Sequence, residues 1–565
     1  RPSHVHDCNG NGVYDHEDIT NGTSPDINYN GVPDECETRI YVDDDAAGAN
    51  DGSSWTDAHN NLQDALAHAL SSFETMNSVT EIWVAAGTYK PDGPGGDRFK
   101  SFNLLNNLAI YGGFAGTETE LEQRNPTSNV SILSGDLNGD DGPDFSNNDE
   151  NSCHVVTSIF VPSTILDGFT ITGGNADGSG ATSGGGMYCR QSSPMIANCI
   201  FKDNYAWSEG GGIYNYECSP ILSNCMFVGN LARGDGGGLH SIRSNATVIK
   251  CVFYDNSADD GGAMGNTLSD TTVINCKFQG NSASQRGGAI YNFECNPKFT
   301  NCAFVVNSAQ SEGGGVCNSS DSNSILTNCT LYGNSAQIRG GGICNYSYNC
   351  HPLLTSCILW NNVAGGVSDE SAQCGGYAPV ANYCCVQGLT GLWGGVGNIG
   401  DDPIFVDPDG IDNDPNTWGD NDYHLSDGSP CIDAGDNTSL PPDEADLDGD
   451  GNTIEQTPFD LEDNQRFWDD PNTIDSGNPG APGSPITDMG AYEFISPLHT
   501  PGDFNHDGDV DQEDFGIFQA CISGSGSLYA PGCADADLDK DSDVDLNDFT
   551  IFQSCMAGPN QPSGC

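Results

Sequence analysis

Aspartate and asparagine recur at alternate positions near both ends of this chain, and oxygens spaced that way can wrap one hard divalent cation. Near the C-terminus Asp503, Asn505, Asp507, Asp509, Asp511 and Asp514 occupy positions 1, 3, 5, 7, 9 and 12 of a calcium loop, with Gly508 at the sixth, where the chain must turn sharply. Thirty-four residues on, Asp537, Asp539, Asp541, Asp543, Asp545 and Asp548 repeat the pattern, with Ser542 in place of the glycine. At the other end Asp7, Asn9, Asn11, Asp15 and Asp18 follow the same spacing around Gly12, and Asp26, Asn28, Asn30, Asp34 and Glu37 repeat it 19 residues later. The expected cofactor is therefore Ca2+, several ions of it. A flexible Asp-Gly-rich turn is the competing reading, and a spacing matched four times argues against it. Shorter matches at Asp136, Asn138 and Asp140, at Asp446, Asp448 and Asp450, and in the cluster Asp407, Asp409, Asp412 and Asp414 stand equally well as cation loops or solvated turns.

Each C-terminal loop leads into an apolar run, Phe515, Ile517 and Phe518 and then Phe549, Ile551 and Phe552. Duplicated loops of this kind resemble a type I dockerin, which implies a small α-helical module that docks to a partner. The N-terminal pair is similar to thrombospondin type 3 and other short calcium repeats. Cys521 with Cys533, Cys555 with Cys565, and Cys8 with Cys36 are candidates for local disulfides.

The 565 residues hold 17 Lys plus Arg against 80 Asp plus Glu, a formal charge of −63. That field repels nucleic acid phosphates and anionic membranes, so neither is an expected partner. No apolar stretch long enough to span a bilayer occurs, and the chain starts at Arg1, as a processed export product would. The expected location is extracellular or on a bacterial cell surface.

The elements that carry these loops are legible as a repeat. A glycine cluster followed by an apolar residue recurs in steps of 25 to 27 residues, with Met187, Ile213, Leu239, Met264, Ile290, Val316 and Ile343 at the apolar position. Later in each unit stand Cys199, Cys225, Cys251, Cys276, Cys302, Cys329 and Cys357, each preceded three residues earlier by an apolar side chain, from Ile196 to Leu354. An asparagine follows each cysteine, at Asn204, Asn230, Asn256, Asn281, Asn307, Asn334 and Asn362. Period-2 stretches this short cannot bury a face alone, but stacked as parallel coils of three strands, about 4.8 Å apart, like residues lie on like. The stack predicts a buried thiol column, a phenylalanine column beside it, and an asparagine ladder at a turn. Disulfides between neighbouring coils remain open on spacing alone.

Gly287 to Ile290 together with Phe304 to Asn307 resemble the polymorphic outer-membrane-protein repeat, over roughly residues 170 to 365. That resemblance implies a right-handed parallel β-helix of the pectate-lyase type, and the family is known for adhesins. The fold class expected is all-β: a β-helix solenoid with an N-terminal capping helix and small calcium modules at both ends, divided as 1–38, 39–495 and 496–565. The helix is expected within 55–73 from the spacing of Leu62, Ala65, Leu66, Ala69 and Leu70, capped by Thr56 or Asp57. Pro403 to Asp407, Ser429 to Gly435 and Asp488 to Phe494 resemble closing coils.

These features point to a calcium-binding structural or adhesive surface protein that associates with itself or another surface protein through its terminal modules, in a head-to-tail filament. A polysaccharide lyase or hydrolase tethered by the dockerin-like module is the alternative, and a glycan-binding module using Tyr214, Tyr216, Tyr291 and Phe293 is a third. Arg233, Arg286, Arg339, Lys250 and Lys277 lie near the repeat turns, yet no acid pair is seen to recur with them, so no catalytic and no organic-cofactor residue is assigned.

Overall fold

In a computed structural model the chain is described at residues 11–24, 33, 38–72, 78–178, 180–410, 421–449, 451–468, 470, 473–481, 484–495, 510, 512–524, 536, 538 and 544–556. It divides into two compact units, Arg1–Asp469 with Thr473–Glu493, and Asp470–Asn472 with Phe494–Cys565.

The first unit is a parallel β-solenoid. Each regular coil has four strands rather than the expected three, because the glycine cluster is preceded by a further two-residue strand. One coil runs Met187–Arg190, Met195–Ala197, Ile200–Lys202 and Tyr205–Ala206, and these enter sheets C, A, B and D respectively. The sheets hold 10, 12, 11 and 8 strands, all parallel within the stack. In sheet C the register repeats without slip, Met187 pairing with Ile213, Ile213 with Leu239 and Leu239 with Met264, while sheet D shifts once, between Ala258 and Asp260. The earlier strands Arg39–Val42, Glu81–Ala85 and Leu108–Phe114 extend sheet A below them.

Inside, the columns form as the repeat requires. Phe201, Phe227, Phe253, Phe278 and Phe304 stack with centroids 4.5 to 5.1 Å apart and planes within 9° of parallel. Each buried asparagine donates to the next one's Oδ1, as Asn230 does to Asn256 at 2.9 Å, and also to a carbonyl of the coil below, as to Phe201 O at 2.8 Å. A second buried ladder, Asn266 to Asn292 to Asn318 to Asn345, runs at 3.0 to 3.1 Å on the sheet C side. The column cysteines are buried thiols that donate to carbonyls two residues back, as Cys251 does to Ile249 O at 3.2 Å. Corners turn through left-handed residues; at Gly287 (φ +66°) a Cβ would lie 2.2 Å from Ile290 O, so only glycine fits.

The helix Leu62–Ser72 buries Leu62, Ala65, Leu66 and Ala69 in the same core as Ile40, Val42 and Ile82. Leu70 is instead 62% exposed, and Asn61, not Thr56 or Asp57, accepts the first free amide, from Gln63 at 2.9 Å.

The segments read as closing coils do something else. Phe405–Asp407 pairs antiparallel with Asp422–Leu425, and the stretches 458–468 and 484–493 bond to the coils along their flank. Corner amides hold that wrap: Asn275 donates to Asp460 O at 2.6 Å, Asn301 to Phe459 O at 2.7 Å and Asn328 to Asp488 O at 2.8 Å. Arg466, fully buried, bonds to the equally buried Glu493 at 3.0 Å and to Asn301 Oδ1 at 2.8 Å.

In the second unit, helices Gln512–Cys521 and Leu546–Cys555 bring Phe518 and Phe552 together, with centroids 5.3 Å apart. Cys521 and Cys555 are both disulfide-bonded. No helix of the described residues is long and apolar enough to cross a membrane.

Candidate functional site

The residue immediately before each glycine pair was not singled out from sequence, yet it forms a charged column. Glu209, Asp235, Asp260, Arg286, Glu312 and Arg339 occupy that position in successive coils, and backbone bridges stack Asp235 through Arg339 in register. Asp260 grips Arg286 with both oxygens, at 3.2 and 2.6 Å, and Glu312 takes Arg339 at 3.1 Å. These acids are the partners that the turn arginines lacked in the sequence reading. The signal was available as a polar residue recurring at one fixed place ahead of Gly-Gly.

Asp235 sits in this column with its carboxyl pushed up to about 7, first by burial and then by Asp260 and Glu209. Gly265 permits the burial, since a Cβ there would lie 3.2 Å from Gly236 N and 3.3 Å from the Asp235 Cβ. His240, whose Nδ1 is 3.1 Å from Asp235 O, is pushed down to about 4 by its own burial. The site thus holds a proton on a carboxyl beside an ionic pair, a combination able to donate protons at neutral pH.

Besides a pocket of about 440 Å³ lined by Asn437, Thr438, Gln456, Phe467 and Pro479, two grooves lie on the outer face of sheet B. The first, about 690 Å³, runs between the loop Leu121 to Val130 and the outward side chains Thr170, Ile200 and Met226. The second, about 420 Å³, is lined by Tyr254, Lys277, Gln279, Asn421, Tyr423 and Tyr492. Its charge is organised: Glu462 bonds Lys277 at 2.7 Å and lies 3.4 Å from His424 Nε2. Glu462, helped by Asp422, raises His424 to about 9, and His424 with Lys277 lowers Glu462 to about 2. Glu122 is the one carboxylate among the lining residues of both grooves, and Asp235 lines neither.

The expected cation ligands fare unequally. Asp7, Asn9, Asp26, Asn28, Asn30, Asp34, Glu37, Asp503, Asn505, Asp507, Asp509, Asp511, Asp537, Asp539, Asp541, Asp543 and Asp450 lie outside the described residues. Of the rest, the twelfth positions share one environment: Asp18, Asp514 and Asp548 are all buried within the first turn of a helix. Asp548 accepts from Leu538 N and from Asp545 N, both at 2.7 Å, while Asn11 donates to Asp18 at 2.8 Å and Asp15 opens the helix Asp15–Asn21. Asp136 and Asp140 do converge, but with Glu150 in place of Asn138, whose oxygen accepts from Gly95 N. Asp448 likewise joins Asp443 and Glu455 rather than Asp446, which turns back to accept from Gly451 N. In each trio one ligand atom per residue lies within 4.8 Å of the others. Asp443 is 1% exposed, its Oδ1 has no hydrogen-bond partner, and burial with Asp448 and Asp446 raises its pKa, so a divalent cation would satisfy it. The donor set is all oxygen, which suits calcium.

Of the aromatics proposed for glycans, Tyr214 stacks on Tyr188 at 5.6 Å, while Tyr291 is buried beneath the Arg286 guanidinium, 4.7 Å from its ring centre.

A family model described as right handed beta helix region matches residues 136–304. Among solved structures, the crystal structure of pectate lyase Pel9A is similar at 14% identity with a TM-score of 0.45, over 81% of this chain and 97% of that one. No curated protein matches. The solenoid is thus a right-handed parallel β-helix.

Proposed function

We propose that this protein is an extracellular, calcium-loaded β-helix of the bacterial cell surface that holds an extended polysaccharide along the outer face of sheet B, as an adhesive or structural component. The observation that supports this reading is the alignment of the two grooves. Thr170, Ile200 and Met226 lead by register to Val252, Lys277 and Ala303 on the same face, so the grooves share one axis. At about 4.8 Å per coil, five steps span roughly 24 Å, the length of several sugar rings. Half-buried Tyr254, bordered by the buried Tyr423 and Tyr492, offers an apolar face, and Lys277 with the amides Gln279 and Asn421 offers polar fixing points, the lining that glycan sites need.

Calcium would be held by the oxygen sets of the terminal loops and by Asp443, Asp448 and Glu455, where it neutralises carboxylates. The terminal modules are then the docking points for a second copy or another surface protein, in filament-like assembly. Affinity electrophoresis of the calcium-loaded protein against neutral and acidic polysaccharides tests the reading. Retardation lost in Tyr254→Ala with Tyr423→Ala supports it, and retardation by no glycan, or unchanged in the double variant, rejects it. Sedimentation with calcium and then with chelator tests assembly separately.

A second reading, a polysaccharide lyase or hydrolase, is favoured by protonated Asp235 beside Asp260. Its position outside both grooves places it behind the first. Reducing-end release that disappears in Asp235→Asn would reverse that order.

A further inference from the structure

We propose that Cys189 and Cys218 are joined in the native protein by a disulfide that staples two neighbouring coils. Their Sγ atoms lie 2.6 Å apart, far inside the separation of two non-bonded sulfurs and about half an ångström from the ~2.05 Å of a formed bond. Both side chains are buried, at 0% and 1% exposure.

Register explains why this pair meets on a diagonal between two columns. Cys189 stands in the column continued by Asn215, Ser241, Asn266, Asn292 and Asn318, and Cys218 in the column continued by Ser244 and Ser269. A residue of the first column reaches diagonally to one of the second in the next coil. Elsewhere that diagonal is an ordinary hydrogen bond: Ser269 Oγ donates to Ser241 O at 3.0 Å, and Cys295 Sγ to Asn266 O at 3.5 Å. Only at 189 and 218 do both columns carry cysteine. In the seven-thiol column the sulfurs interact with their column neighbours and also reach backbone carbonyls, as Cys276 does with Ile274 O at 3.2 Å. Those thiols are satisfied as thiols.

Before the coils close neither that hydrogen bond nor burial distinguishes the two thiols, so either can attack, and Cys218 stands for either as the attacking sulfur. A small disulfide oxidant accepts the attack as a mixed disulfide. Cys189 then displaces the oxidant's second sulfur, and the two protons and two electrons of the pair leave with the oxidant as two thiols. Burial restricts this to the time before the coils close, and afterwards shields the bond from reductant.

The test uses the full chain refolded with oxidised and reduced glutathione, denatured in an alkylating agent without reductant, and mapped by mass spectrometry. The expected result is one peptide pair joining Cys189 to Cys218, lighter by two hydrogens than the separate thiol peptides and released by reductant, with Cys225, Cys251 and Cys276 alkylated as thiols. Finding Cys189 and Cys218 both alkylated in a sample where Cys521 and Cys555 are still bridged overturns the proposal, since that control shows oxidation was sufficient. As a second measure, reductant in mild denaturant, which cleaves the Cys521 and Cys555 bridges in both proteins, should lower the wild-type unfolding midpoint by more than that of Cys189→Ser with Cys218→Ser. Equal shifts in both proteins also overturn it.

Discussion

The regular coils and the wrap of residues 458–468 and 484–493 lie against each other, yet different physics holds them. In the coils the main buried contacts are repeated: ring on ring from Phe201 to Phe304, amide on amide from Asn204 to Asn362. Each of these rungs is satisfied by like rungs above and below, and buried charge is confined to the column ahead of Gly-Gly, where Asp260 and Glu312 pair with Arg286 and Arg339. The wrap has no neighbour like itself. It is fastened by contacts used once, above all Arg466, which has no exposed surface and spends its donors on Glu493, Asn301, Gly490 and Ala491. A repeat spreads its stability along the axis, whereas a single fastener concentrates it at one residue.

That contrast can be broken from either side. Phe253→Ala removes a ring stacked at 4.5 and 4.9 Å on its neighbours and should cost about 3–5 kcal/mol. Calorimetry should show the main transition shift as a whole, because coils couple to coils. Arg466→Leu leaves Glu493 buried without its cation, a loss of about 3–5 kcal/mol. Here the damage should be local: limited proteolysis should cut within 458–493 while the β-sheet circular dichroism of the coils is retained. Should both signals fall together, the wrap belongs to the cooperative unit of the coils and the contrast fails.

Smaller effects sharpen it. Folded Asp235 keeps its proton up to about pH 7, whereas an unfolded aspartate releases it near 3.8. The native state therefore binds more protons in that window, and stability declines as pH rises through it. Asp235→Asn should flatten the decline, read as the difference in melting temperature between pH 4 and pH 7 in the two proteins. Lys250→Ala removes a bond to Asp463 at 2.7 Å, with side chains 34% and 55% exposed, and should change stability by no more than about 1 kcal/mol in denaturant titrations.

Much of the core was legible beforehand. The apolar, cysteine and phenylalanine columns and the buried asparagine ladder fall where the spacing put them, and the helix near residue 62 forms with four of its five apolar positions inward. Two parts of the stack were missed although the signal was present. The two-residue strands of sheet D are too short for alternation to register, and the charged column before Gly-Gly varies among Glu, Asp and Arg, so it does not show as a repeated letter. The trios at Asp136 and Asp443 were half seen: the loops suggested neighbours in sequence, while the third ligand, Glu150 or Glu455, comes from further along.

Sequence alone determined the solenoid, because a contact between stacked coils recurs at one near-constant separation and any residue type it favours becomes periodic. Tertiary structure decided what lies on that solenoid: that the wrap seats on Asn275, Asn301 and Asn328, that Tyr254 and Tyr492 share a groove, and that Cys189 faces Cys218. The wrap's corner-amide contacts join residues 158 to 185 positions apart with no constant spacing, so chain order carries no repeated trace of them. The cysteine pair needs the diagonal between two columns, which exists only after the coils have closed.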